Sequence, residues 1–299
     1  MKIRKPLVFI GALFFLQSCA SQQARFDRLF HYAPYRFAGP APEAECREFE
    51  SWKWCVDKPD SSAAVDEKSV LYVLHHAGGS ERTWSESPVA RKFYAQLLKQ
   101  GAAAPRVVSV SYGPYWTLME EAGEKQPALL RPFVDTLMPE IERSLGMSSP
   151  KRLLWGMSQG GLNGASLILR EQQLFARAVL SCPAIYSFPL YSDSAADTYI
   201  ERVKANRESV YWGLEKLRPR IGGANAWRRE GPLGLIGTVK SLPPTLMQVN
   251  VADEYGFQEG GKMLFTRAKS RGFPVEIQTY GNSHCVIDAE RAVNFLFNE

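Results

Sequence analysis

The chain has 299 residues, 45% of them hydrophobic and 22% charged, with a formal net charge of +5. That length suits one large α/β domain or two small ones, and the apolar content is enough for a sizeable core. No internal repeat or low-complexity tract points to a solenoid or to disorder. No basic run with interleaved aromatics follows the first five residues, so nucleic acid is not an expected partner.

Residues 1–18 read as a targeting segment rather than as part of a fold. Lys2, Arg4 and Lys5 form a positive start, and Pro6 to Leu16 is an apolar run of 11 residues, too short to span a bilayer. Leu16-Gln17-Ser18-Cys19 resembles the bacterial lipobox. The resemblance implies cleavage before Cys19, acylation of its sulfur, and a protein anchored in the cell envelope. Ala20 follows where an Asp would imply inner-membrane retention, so the outer membrane, facing periplasm or surface, is the expected home. Cleavage removes three positive charges and no negative ones, leaving a nearly neutral chain.

Residues 19–45 read as a tether, because Ala38-Gly39-Pro40-Ala41-Pro42 can be neither helix nor central strand. Residues 46–58 read as an edge strand or hairpin, with a local disulfide between Cys46 and Cys55. From there strands and helices alternate. Strands are expected over Val70–His75, Arg106–Tyr112, Arg152–Trp155, Ala176–Cys182, Thr245–Ala252 and Val275–Tyr280. Helices are expected over Val89–Gln100, Ala128–Leu145, Leu162–Gln173, Gln258–Arg271 and Asp288–Phe297. Such alternation predicts a mostly parallel sheet with helices on both faces. About 60 residues separate Cys182 from Thr245, far more than a crossover needs. Residues 184–241, rich in Tyr, Trp and Arg, are therefore expected to form a cap over the site. The domain organisation is thus a signal segment 1–18, a tether 19–45 and an α/β domain 46–299 carrying the cap.

Chemistry centres on Gly156-Met157-Ser158-Gln159-Gly160-Gly161, placed between an apolar strand and a helix. This is the pattern of a nucleophile elbow, in which small residues flank a serine exposed on a sharp turn. A serine needs a base, and of the four histidines only His284 follows Ser158, in a loop after the last strand. The imidazole needs an acid; Asp253 directly follows a strand, with Glu254 in reserve. Oxyanion donors are expected from the N–H of Gln159 and from Ala77 or Gly78 in the loop after the first core strand. His75 and His76 are expected to pack under that loop. Cys182 and Cys285 are expected as free, buried thiols, with a Cys182–Cys285 bridge as the alternative. No Cys/His spacing suggests a metal site, and no cofactor is implied.

Leu74 to Glu81, with Trp84 after it, is similar to the "LHG-x-GGSE…W" segment of the esterase D / feruloyl esterase group of α/β-hydrolases. The elbow at Ser158 is similar to the same group's "G-x-S-M/Q-G-G". His76 stands where the group has Gly. The resemblance covers residues 46–299 and implies an α/β-hydrolase fold, with Asp253 and His284 as acid and base. It also implies a lipid-anchored serine ester hydrolase acting on a small-molecule ester, with Tyr112, Tyr115, Trp116 and the cap aromatics available to stack on a sugar or aromatic acyl group. A serine peptidase or acyltransferase on the same fold, and an envelope-binding lipoprotein with an inactive site, remain alternatives.

Overall fold

The computed structural model describes residues 42–58, 64–113 and 115–297. The expected signal segment, Cys19 and all but the end of the expected tether lie outside these residues. The described residues fall within one compact unit. Among them, no helix is long and apolar enough to cross a membrane.

Eight strands form one sheet: β1 (Glu43–Phe49), β2 (Trp52–Lys58), β3 (Val65–Leu74), β4 (Ala104–Ser111), β5 (Lys151–Met157), β6 (Arg177–Ser181), β7 (Thr245–Val249) and β8 (Val275–Thr279). Their order is β1-β2-β4-β3-β5-β6-β7-β8. The β1–β2 hairpin is antiparallel and β2 joins β4 antiparallel, while every pairing from β4 to β8 is parallel. β1 begins inside the stretch expected to be tether, so the domain starts at least three residues earlier than the sequence suggested. Glu43 pairs with Lys58, which extends the hairpin to its open end.

Period-2 alternation sends side chains of one strand to opposite faces. Val70, Tyr72 and Leu74 of β3 enter one core, together with Leu154, Ala178 and Met247. Leu71 and Val73 enter the other, with Leu153, Trp155, Val179 and Leu246. The second core is covered by α1 (Pro88–Gln100) and, at the chain end, by a helix over Ala289–Phe297. α1 is capped by the Ser87 hydroxyl, which accepts from Ala90 N–H, and ends at Gly101 in the left-handed region.

The helix expected over Ala128–Leu145 is shorter and irregular. A π-helical stretch, Pro132–Leu137, runs into α2 (Met138–Ser144). Pro132 and Pro139 lack the N–H donors that a regular α-helix would use, which breaks its register. Helix α3 (Gln159–Arg170) leaves the elbow and is buried along nearly all its length. The long connection after β6 folds into α4 (Asp193–Val203), α5 (Arg207–Leu217), α6 (Ala224–Glu230) and α7 (Pro232–Leu235). α8 (Phe257–Ser270) follows β7, and α9 (Ala289–Phe297) closes the described chain.

Two buried polar rows fix this frame. Across the sheet, Trp155 Nε1 donates to Ser181 Oγ (3.0 Å), which donates to Gln248 Oε1 (2.7 Å). Gln248 Nε2 donates in turn to Gln278 Oε1 (2.9 Å) and to the Asp288 carbonyl (2.8 Å). On the hairpin side, Asp57 is 1% exposed and its Oδ2 accepts from Trp84 Nε1 (2.7 Å) and Tyr94 Oη (2.9 Å). Burial pushes the Asp57 carboxyl up to about 7, against the opposing effect of those two donors.

A carboxyl whose folded pKa lies above its unfolded value contributes most below the unfolded value, near 4. The contribution is lost as pH rises towards 7. Asp57→Asn keeps the acceptor oxygen and removes the charge. Its melting temperature relative to wild type is expected to rise by about 5 °C between pH 4.5 and pH 8, read by thermal melts at both values. A pH-independent difference would contradict the assignment.

Candidate active site

β5 lies between β3 and β6, so its C-terminal end opens at the middle of the sheet. Ser158 leaves it at φ 53° and ψ −113°, a conformation costly for a residue with a side chain. The turn is held on both sides. Ser158 N–H donates to the Ser181 carbonyl (2.9 Å), and the Ser158 carbonyl accepts from Leu162 (3.0 Å) and Ala184 (2.9 Å). The backbones around it are in contact. A Cβ on Gly156 would lie 2.2 Å from the Gly160 carbonyl oxygen, and one on Gly160 would lie 2.0 Å from that of Leu74. The sequence requirement for small residues is therefore a requirement for backbone contact.

Ser158 Oγ lies 2.8 Å from His284 Nε2, and His284 Nδ1 lies 2.7 Å from Asp253 Oδ2. The three side chains come from the ends of β5 and β7 and from the loop after β8. They form one line, with the His284 and Asp253 side chains 2% and 1% exposed. The other Asp253 oxygen accepts from Tyr255 N–H (2.8 Å), which fixes the carboxylate plane. Burial is the largest influence on His284 and disfavours its charged form. The charge of Asp253, its hydrogen bond and the charge of Glu254 together outweigh it, so the imidazole sits above the ordinary histidine range.

Glu254, held in reserve as an acid, does something else. Its Oε2 accepts the backbone N–H of His284 (2.9 Å), so it clamps the base loop rather than the ring. Asn250, which sequence reasoning did not single out, pins the same loop. Its Oδ1 accepts from Cys285 N–H (2.9 Å), and its Nδ2 donates to the carbonyls of Val286 (2.8 Å) and Tyr280. Asn250 lies only three residues before Asp253, but no motif marks it.

Gln159 opens α3, where N-terminal N–H groups have no intrahelical acceptor. Opposite it, the loop after β3 turns back on itself: Gly79 N–H donates to the His76 carbonyl (3.0 Å), and Gly78 takes φ 74°. Ala77 is buried, and Gly78 is exposed. Among the described residues no acceptor holds the N–H of either. His75 packs beneath this loop as expected, stacked on Tyr112 at 4.4 Å, and burial lowers it to about 4, so it stays neutral. His76 differs from expectation. It is half-buried, its Nδ1 lies 2.8 Å from the Ala77 carbonyl, and it is close enough to His284 to feel its charge.

An aromatic arc continues from the base. Tyr255 meets His284 edge-on at 4.8 Å, Trp212 lies 6.2 Å from Tyr255, and Trp116 lies 5.4 Å from Trp212. Trp116 belongs to the loop before α2, and Trp212 to α5. That loop is stitched to the connection after β6. Glu230 accepts the N–H groups of Glu120 (2.7 Å) and Glu121 (3.0 Å), Lys125 N–H donates to the Pro219 carbonyl (2.7 Å), and the Arg220 guanidinium covers the Trp116 ring at 5.6 Å.

Both cysteine pairs are bonded. Cys46 and Cys55 face each other in the β1–β2 hairpin with Cα atoms 4.0 Å apart. Cys182 and Cys285, expected as free thiols, are also paired, with Cα atoms 5.1 Å apart across a sequence separation of 103. That spacing is within bridging range, and the fold brings the end of β6 beside the base loop.

No family profile matches the sequence, and no curated protein matches it in a sequence search. Solved structures do match. A Rhizomucor miehei esterase structure is 16% identical, covers 97% of this chain and 90% of its own, and aligns with TM-score 0.63. A thermostable esterase from Pseudomonas putida is 17% identical over 99% and 93%, with TM-score 0.60. A ferulic acid esterase is 12% identical over 85% and 94%, with TM-score 0.58. With the strand order and the elbow, these likenesses establish the α/β-hydrolase fold for this chain.

Gly160→Ala forces a methyl group into backbone, and is expected to cost at least about 3 kcal/mol in denaturant titration. Glu254→Gln keeps an acceptor for the His284 N–H but removes a charge that raises the imidazole. The acid limb of kcat/KM is expected to move to lower pH with the plateau retained. Asp253→Asn should instead lower the plateau by roughly 10⁴-fold, because the ring loses its tautomer partner.

Proposed function

We propose that this protein is a serine carboxyl-ester hydrolase working through an acyl-enzyme on Ser158. The observation that carries the reading is the continuous Ser158–His284–Asp253 line on a strained elbow at the centre of the sheet. His284 takes the Ser158 proton as Oγ attacks the ester carbonyl. The N–H of Gln159 and those of Ala77 or Gly78 receive the oxyanion, and His284 returns the proton to the leaving alcohol. Water then repeats the sequence on the acyl-enzyme, so neither cofactor nor metal enters the reaction. The esterases among the structural neighbours support this class of chemistry.

The arc of Trp116, Trp212 and Tyr255 supports a planar aromatic or sugar-bearing ester as substrate, and residues 184–241 act as the cap that supplies part of it. The lipobox-like Leu16–Cys19 supports acylation at Cys19, an outer-membrane anchor and a reaction in the cell envelope. Mass spectrometry of the N-terminal peptide from a bacterial host tests this through the added diacylglyceryl mass.

A fluorophosphonate probe is expected to label wild type and not Ser158→Ala, and p-nitrophenyl acetate turnover should fall by at least about 10³-fold in that variant. Equal labelling of both would refute the mechanism. Trp116→Ala should raise KM for methyl ferulate more than for p-nitrophenyl acetate.

A further inference from the structure

The Cys182–Cys285 bridge lies against the base of the proposed reaction. Cys285 is the residue after His284, and one donor atom from each of Cys182, Cys285 and His284 falls within 4.8 Å of the other two. Sequence spacing gives no hint of this group, because Cys182 follows β6 and the other two lie beyond β8. Two thiolates and an imidazole are the donor set that soft or borderline cations such as Zn²⁺ select. A tetrahedral zinc holds such donors roughly 3.5–3.8 Å apart. Breaking the S–S bond frees each sulfur to rotate about its Cα–Cβ bond, and neither cysteine sits inside a helix or strand.

We propose that reduction of the Cys182–Cys285 bridge creates a Cys₂His site for Zn²⁺ that withdraws His284 from Ser158. In the first step a dithiol attacks the bridge; two S–H groups form on Cys182 and Cys285, and the dithiol leaves as its own disulfide. In the second step Zn²⁺ binds both sulfurs and one imidazole nitrogen, releasing two thiol protons. His284 has no spare nitrogen: Nε2 faces Ser158 and Nδ1 faces Asp253. Whichever nitrogen the metal takes, the Ser–His–Asp line is broken. The oxidised protein is then the active form, and the reduced protein is open to metal inhibition. The inhibitory half rests on His284 being the base; the binding half does not.

The test uses the full chain, reduced with a non-chelating phosphine, desalted without oxygen and titrated with Co²⁺ as a spectroscopic stand-in for Zn²⁺. A thiolate-to-cobalt charge-transfer band is expected that is lost in Cys285→Ser and in His284→Ala but kept in Cys46→Ser. One equivalent of Zn²⁺ should lower fluorophosphonate labelling of reduced wild type at least tenfold, with recovery on adding a chelator and no effect on oxidised protein. Absence of the band, or its persistence in Cys285→Ser and His284→Ala, would overturn the site. A band that follows these variants while labelling is unchanged would uphold the site and overturn the role of His284 as base.

Discussion

The Gly160 backbone lies so close to β3 that a methyl group there would stand 2.0 Å from the Leu74 carbonyl oxygen and 2.7 Å from that of His75. That contact joins the nucleophile turn to the loop holding Ala77 and Gly78. The distance between Ser158 and the loop donors is therefore set by two abutting backbones, not by flexible side chains. Gly156 against Gly160 within the turn, and Gly161 against Pro183 after β6, repeat the device. The strained Ser158 is over-determined, because β5, α3 and the end of β6 each hold one of its neighbours.

The base is held differently. His284 sits in the loop 280–288 between β8 and α9. Its place is fixed by Glu254 on its own N–H, by Asn250 on Cys285, Val286 and Tyr280, and by the covalent tie to Cys182. Each of these anchors lies just after β6 or just after β7, and Asp253 belongs to the same turn after β7.

Strand-helix alternation, the elbow and the order of Ser158, Asp253 and His284 were legible because each is written in local pattern or chain order. The π-helical stretch at Pro132 had its cause in the sequence, two prolines seven apart, but the periodicity of apolar residues masked it. Pairing of Cys182 with Cys285 had no local signal; it depends on β6 and β8 being brought to the same end of the sheet. Glu254 and Asn250 act through backbone groups of a loop that is distant in sequence, and such contacts leave no composition or spacing to read. The aromatic arc was visible as an excess of Tyr and Trp, but only folding shows that half-buried Trp116 and Trp212 lie beside Tyr255, which is as deeply buried as Tyr186 and Tyr199.

The stitching between the Trp116 loop and the connection after β6 has a mechanical meaning. Glu230 holds two N–H groups of that loop, Arg220 covers Trp116, and Gly123 touches the Arg220 backbone too closely for any side chain. Two segments far apart in the chain behave as one rigid plate. Neither segment can shift alone without breaking the hydrogen bonds that Glu230 makes to Glu120 and Glu121. The connection leaves the sheet at Pro183, beside Gly161, and rejoins it at Pro243–Pro244, so the plate is tied to the sheet at both of its ends.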